Sequence, residues 1–208
     1  MWPPLLAAYA PDLVSGVVLE DQPLSTTHLP RATKSRNYVD LATTAHSILH
    51  SGETDFVAYN ATRGRFFAFF GELRPTLTRD ILAARTLHPA DPVMLASMPP
   101  VMNELFRGLN RYDPRFGVAF YTDSWDVGFD ETEALARFPA PAVLIHTNWS
   151  YDAEGILMAA MDDRDAERAR SLLNDVEFFK VVSSHGFHFE KPRNSIRILI
   201  DFAQRIER

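Results

Sequence analysis

Three short segments rich in apolar residues constrain the fold of this chain more than any other feature. They lie in the segments Leu13–Asp21, Ala142–His146 and Val176–Val182. Val17–Leu19 and Ala142–Ile145 are apolar without interruption, which is typical of strands buried on both faces, as in parallel sheets. The last two segments are separated by a helical pattern, and further helical patterns flank them. This order predicts an α/β fold with a short parallel sheet covered by helices.

The helices expected around these strands begin and end at recognisable signals. Asp130–Phe138 starts with an N-cap aspartate followed three residues later by Glu133, a spacing that resembles a capping box. Asp162–Leu173 carries acidic residues in its first turn. Pro192–Glu207 places apolar side chains on one face. At the other end of the chain, Leu5–Ala10 is predicted to be the end of a helix stopped by Pro11.

The stretch between residues 32 and 120 has a different pattern, with helices broken by proline and glycine and no convincing strand. The predicted helical segments are Tyr38–His50, Thr54–Phe70, Thr78–Leu87, Pro92–Ser97 and Pro100–Leu109. A cluster of four phenylalanines at positions 66, 67, 69 and 70 is expected to pack a small helical core, with a substrate pocket as the alternative.

Composition excludes several classes of function. The net charge of −6 and the sequence pI of about 5.6 argue against a basic nucleic-acid-binding surface. The absence of cysteine excludes disulfides, thiolate metal sites and a cysteine nucleophile. No apolar run is long enough to span a membrane, and the first ten residues lack the basic flank of a signal peptide. We therefore expect a cytoplasmic protein that binds neither nucleic acid nor membrane.

The segment Ser184–Pro192 contains the most specific chemical signal. His185 follows the third predicted strand, at the sheet edge where ligands gather in α/β folds. A histidine there can exchange a proton near neutral pH, although a turn histidine that only forms hydrogen bonds is the simpler interpretation. His185, His188 and Glu190 could also be metal ligands, but Gly186 and the turn argue against that arrangement.

The pattern His-x-x-His-x-Glu-Lys-Pro before a terminal helix resembles the C-terminal end of the α/β-hydrolase superfamily. Ala8–Asp21 is similar to the helix and strand that follow the nucleophile in this family, and Pro141–His146 to the strand before the triad acid. The resemblance implies a partial α/β-hydrolase fold with a core of residues 1–27 and 126–208 and a helical cap of residues 28–125. It also implies that His185 is the catalytic base and that His188 is structural.

The triad acid is expected in the loop after the second strand. Asp152 is the first candidate and Glu154 the second, whereas Asp162 is assigned to the start of a helix. Asp21 is a separate candidate, since some members of the family carry the acid after the earlier strand. A strand-end acid that caps a loop is the alternative for Asp21.

No Gly-x-Ser-x-Gly nucleophile elbow occurs in the 208 residues, and nothing indicates that Ser183 or Ser184 is activated. The resemblance therefore implies a Ser–His–Asp hydrolase of a small apolar, ester-like substrate that needs no cofactor. We expect the chain to be truncated and inactive, or nearly so. The alternative is a non-catalytic fragment that binds a ligand or partner, with self-association through an exposed sheet edge.

Overall fold

The computed structural model of the protein describes residues 10–207. Most of the predicted helix Leu5–Ala10 lies outside the described residues. The structure divides into two compact units. One consists of the chain up to Arg36 together with the chain from Asp126 onward, and the other is Asn37–Trp125.

The first unit contains a parallel sheet of three strands in the order β1-β2-β3. The strands are β1 (Val17–Glu20), β2 (Ala142–His146) and β3 (Val176–Lys180). All five residues of β2 are buried, because this strand has a neighbour on each side and helices on both faces. The first and third strands are shorter than predicted, and Leu13, the predicted first residue of β1, instead ends a 3₁₀ turn at Pro11–Leu13.

Both faces of the sheet carry an apolar core, as a parallel sheet requires. One core joins Leu19 and Leu144 to Leu135 and Ala166 on two helices, Glu131–Ala136 and Asp163–Leu172. The opposite core joins residues of β2 to the C-terminal helix. Its fully or largely buried members are Val143, Ile145, Phe187, Ile198 and Phe202.

Two helices of the first unit, Glu131–Ala136 and Asp163–Leu172, begin at aspartate side-chain caps. The Asp130 carboxylate accepts from the Glu133 N–H at 3.0 Å. Asp162 and Asp165 form a reciprocal capping box at the start of Asp163–Leu172. The unit extends past the predicted boundary at residue 27, because the backbone of Leu157 bonds both Lys34 and Arg36.

The second unit is helical in all the secondary structure described for it. A π-helical turn at Tyr38–Ala42 leads into the first helix, and a 3₁₀ segment occupies Phe66–Leu73. The α-helices are Thr43–Leu49, Phe56–Arg63, Arg74–Leu87, Pro100–Asn110 and Pro114–Tyr121. The predicted helix Pro92–Ser97 is wrong, since this segment is a loop pinned by the Asn103 side chain, which bonds the backbone of Leu95.

The phenylalanine cluster packs the core of the second unit. Phe67 is fully buried and stacks on Phe106 with ring centroids 6.2 Å apart. Phe66 and Phe70 pack against the same cluster, and Phe69 is largely exposed. No helix among residues 10–207 is both long enough and apolar enough to cross a membrane.

Candidate active site

His185 lies in the loop that follows β3, at the carboxyl end of the sheet. Two backbone bonds tie this loop to the end of β2, from Val181 N–H to His146 C=O and from Asn148 N–H to Ser183 C=O. The His185 side chain is 69% exposed, and its Nδ1 lies 2.8 Å from Oδ2 of Asp21. The imidazole is thus fixed on one side and open to solvent on the other.

Asp21 is the first residue after β1 and is completely buried. Its backbone N–H donates to Ile145 C=O at 2.8 Å, and its φ of 42° lies in the left-handed region that Asp tolerates better than most residues. The second carboxylate oxygen, Oδ1, accepts a long bond from Thr147 N–H at 3.4 Å. This turn directs a buried carboxylate along the sheet edge toward His185.

The two side chains change each other's pKa. Burial alone would raise the pKa of Asp21, but the neighbouring His146, His185 and Thr147 N–H outweigh it and hold that pKa well below its usual range. The contact with Asp21 raises the pKa of His185, against the opposing effect of burial. Asp21 is therefore ionised at neutral pH and His185 is a strengthened base.

The structure does not bring Asp152 to His185, contrary to the prediction. Oδ1 of Asp152 accepts the N–H groups of Glu154 at 2.9 Å and Ile156 at 2.8 Å, and so closes its own loop. Gly155, with a φ of 72°, completes this turn. Nδ1 of His185 is engaged by Asp21, and no hydrogen bond among the described residues joins His185 to Asp152 or Glu154.

Glu190 and Glu20 hold the His185 loop in place. Glu190 accepts Ser183 Oγ at 3.0 Å, Ser184 N–H at 3.2 Å and Ser184 Oγ. Glu20 accepts His188 Nδ1 at 2.6 Å and the His188 backbone N–H at 3.2 Å. His185, His188 and Glu190 thus have three different sets of partners, which gives no support to a shared metal site.

Sequence analysis missed His146, which it treated only as the end of a strand. The residue is 1% exposed and lies beside Asp21, with Nδ1 3.9 Å from Oδ1 of that carboxylate. Its Nε2 lies 3.0 Å from Oδ1 of Asp163. A histidine that ends a buried apolar strand is the signal that could have identified it, because an imidazole there needs polar partners.

A cavity of about 230 Å³ opens beside His185. Its lining includes Asp21, Trp149, Ser150, Met158 and Ser184. This mixture of apolar side chains and a few polar groups is typical of small-molecule sites.

A larger cleft of about 850 Å³ lies elsewhere in the first unit. Its charged groups pair with one another: Arg31 lies 2.7 Å from Asp165, and His28 lies 3.1 Å from Glu131. The smaller cavity is the better candidate because it holds a histidine that pairs with a buried carboxylate and faces open space.

Comparison with known proteins places this geometry in a known fold. No family model matches the chain, and no match was found among curated proteins. The enol-lactonase from Burkholderia xenovorans LB400 is similar in structure, with a TM-score of 0.51 at 15% identity over 97% of this chain and 60% of that one. A bacterial membrane phospholipase A gives a TM-score of 0.51 at 16% identity, over 98% of this chain and 53% of that one.

A hydrolase from Oleispira antarctica is also similar, with a TM-score of 0.50 at 13% identity over 97% of this chain and 60% of that one. The chain thus spans less than two thirds of the length of these solved structures, all three of which are α/β-hydrolases. The predicted fold class is confirmed: this chain has part of the α/β-hydrolase fold.

Proposed function

We propose that the chain carries the base and the acid of a Ser–His–Asp hydrolase, with His185 as the base and Asp21 as the acid. The observation that carries this proposal is the 2.8 Å contact between His185 Nδ1 and the buried Asp21 carboxylate, beside a cavity. An imidazole held in this way presents its other nitrogen to a reacting group.

In this mechanism a serine hydroxyl attacks the carbonyl carbon of the substrate while its proton passes to Nε2 of His185. Asp21 stabilises the resulting imidazolium through Nδ1–H and remains ionised. Collapse of the tetrahedral intermediate breaks the ester bond, and His185 returns the proton to the leaving alkoxide. Water then repeats the sequence on the acyl-serine.

Two observations support a proposal for the substrate class. A lactonase and a phospholipase are named for ester cleavage, and Trp149 and Met158 give the cavity an apolar lining. We therefore propose a small apolar, ester-like substrate. A cytoplasmic location is a separate proposal, carried over from the sequence. The second unit, Asn37–Trp125, is proposed as the substrate-selecting cap.

The 208 residues supply no evident nucleophile. They contain no Gly-x-Ser-x-Gly, and Glu190 engages the hydroxyls of both Ser183 and Ser184. Ser150 lines the cavity but forms no side-chain hydrogen bond that the described residues show with His185. We expect turnover by this chain alone to be low, since loss of the nucleophile removes several orders of magnitude of rate.

An added nucleophile tests the base directly. p-Nitrophenyl butyrate is assayed with a range of concentrations of a small thiol or alcohol in place of the serine. We expect the nucleophile-dependent rate of the unmodified chain to exceed that of His185→Ala by about tenfold. This factor is smaller than the full contribution of a general base, because the added thiol or alcohol is not held in position by the protein. Asp21→Asn should resemble His185→Ala, and Ser150→Ala should resemble the unmodified chain.

Equal rates for the unmodified chain and His185→Ala at every nucleophile concentration would contradict the proposed base. High turnover without added nucleophile that disappears in Ser150→Ala would contradict the expected low activity and identify Ser150 as the nucleophile.

The missing nucleophile motif also favours a second candidate function, a binding protein that keeps the cavity without the chemistry. It predicts that short esters or the corresponding acids raise the unfolding temperature while no product forms.

A further inference from the structure

His146 is a buried histidine for which the proposed triad has no role. It ends β2, directly behind the turn that carries Asp21, and its side chain is 1% exposed. A buried imidazole without hydrogen-bond partners is costly, so the protonation of its two nitrogens follows from what each one faces.

Nε2 of His146 faces a carboxylate that other donors already hold ionised. Asp163 Oδ1 lies 3.0 Å from this nitrogen, 2.7 Å from Lys180 Nζ and 2.8 Å from Trp149 Nε1. The bonds from Lys180 and Trp149 lower the pKa of Asp163 to about 2, against the opposing effect of burial. Nε2 of His146 must therefore carry a proton, and this N–H donates a hydrogen bond to the Asp163 carboxylate.

Nδ1 of His146 faces the second carboxylate. This nitrogen is buried and has no hydrogen-bond partner among residues 10–207. The charged carboxylate oxygen Oδ1 of Asp21 lies 3.9 Å from it. A bare nitrogen lone pair directed at an ionised carboxylate would be repulsive, whereas an N–H would be attractive. The ring of Phe178, which does not titrate, stacks on His146 with ring centroids 6.3 Å apart.

We propose that His146 is a positioning residue, an imidazolium that links Asp163 to Asp21 and orients the Asp21 carboxylate toward His185. Asp21 and Asp163 contribute two negative charges to this network, and His146 and Lys180 contribute two positive charges. The network is then neutral while His185 is unprotonated. The site can in this way keep a fully buried carboxylate ionised and still leave His185 free to accept a proton.

Contacts with Asp21 and Asp163 raise the pKa of His146, although burial opposes them. The role of His146 rests on the proposed function, because orienting Asp21 matters only if His185 is a base. Its protonation state does not depend on turnover, so the two proposals can fail separately.

The test is the side-chain ¹H–¹⁵N spectrum of the ¹⁵N-labelled chain, with His146 and His185 assigned from His146→Gln and His185→Gln. We expect His146 to show two protonated nitrogens at pH 7. A neutral His146 at pH 7, in either tautomer, would overturn the proposal.

A second measurement follows His185 in the His146→Gln variant. Loss of one positive charge beside Asp21 should raise the titration midpoint of His185 by about one pH unit. His88→Gln, an exposed site in the second unit, is the matched control and should leave that midpoint unchanged. An unchanged His185 midpoint in folded His146→Gln would also overturn the proposal, and if that variant does not fold, the spectrum of the unmodified chain decides.

Discussion

The Asp21 carboxylate lies where three N–H groups converge at the end of β1, from His185, Thr147 and the more distant His146. Complete burial would make an isolated carboxylate protonate rather than ionise. Donors on both oxygens reverse that preference. The side chain is therefore a polarising group whose charge is fixed by its surroundings.

His185 is the opposite kind of residue, since most of its ring meets solvent. Its orientation is set by the bond to Asp21 and by the loop that carries it, which is held by hydrogen bonds to Glu190 and Glu20. A base must be held in one orientation yet remain accessible, and this combination satisfies both requirements.

At the scale of the elements, β1 determines where the acid lies and also exposes an edge. The N–H groups of Val17 and Asp21 point toward β2, with bonds to Pro141 and Ile145. Because alternate residues of a strand point to opposite sides, the N–H groups of Val18 and Glu20 point away from β2. No partner strand pairs with that edge among the described residues.

We propose that this edge mediates self-association. Val18→Pro removes one outward N–H from this edge. Val18→Ala shortens the same side chain but keeps the backbone N–H. We expect the sedimentation coefficient of the unmodified chain and of Val18→Ala to rise with concentration, and that of Val18→Pro to rise much less. A chain that stays monomeric at high micromolar concentration, or a folded Val18→Pro that associates equally, would contradict this interpretation.

The sequence predicts the strands and the base more readily than the acid. Continuous apolar runs mark the first two strands, a mostly apolar segment marks the third, and the position after a strand marks His185. Asp152 and Asp21 both follow strands, so sequence order does not separate them. The difference lies in the backbone, because the Asp152 loop turns back on its own carboxylate while the left-handed turn at Asp21 aims the other carboxylate at the histidine.

At the scale of the whole molecule, the histidine network links folding to pH. The folded state raises the pKa of His146 and His185 above the unfolded value of about 6.5. Their contribution to stability is therefore complete below about pH 6.5 and is lost as the pH rises through their folded-state pKa values. It lowers the pKa of Asp21 and Asp163, whose contribution is complete above about pH 4 and is lost at lower pH. Solvent screens the exposed His185, so the buried His146 dominates the alkaline side.

Thermal unfolding followed by circular dichroism should therefore give its highest midpoint between about pH 4 and 6.5. We expect the midpoint to fall by about 3 °C between pH 6 and 8.5, which corresponds to roughly 1 kcal/mol in a chain of this size. The fall should be smaller in His146→Gln. A midpoint that rises steadily from pH 6 to 8.5 would show that these histidines do not stabilise the folded state in their charged form.

The pairing of His185 with Asp21 is tested most directly by the His185 titration midpoint, measured by ¹H–¹⁵N spectroscopy in Asp21→Asn and Asp152→Asn. Loss of the paired carboxylate should lower this midpoint by about one pH unit or more in Asp21→Asn. The matched Asp152→Asn variant weakens a neighbouring loop and should leave the midpoint where it is. A midpoint that falls in Asp152→Asn and stays unchanged in Asp21→Asn would contradict the pairing and restore Asp152 as the acid.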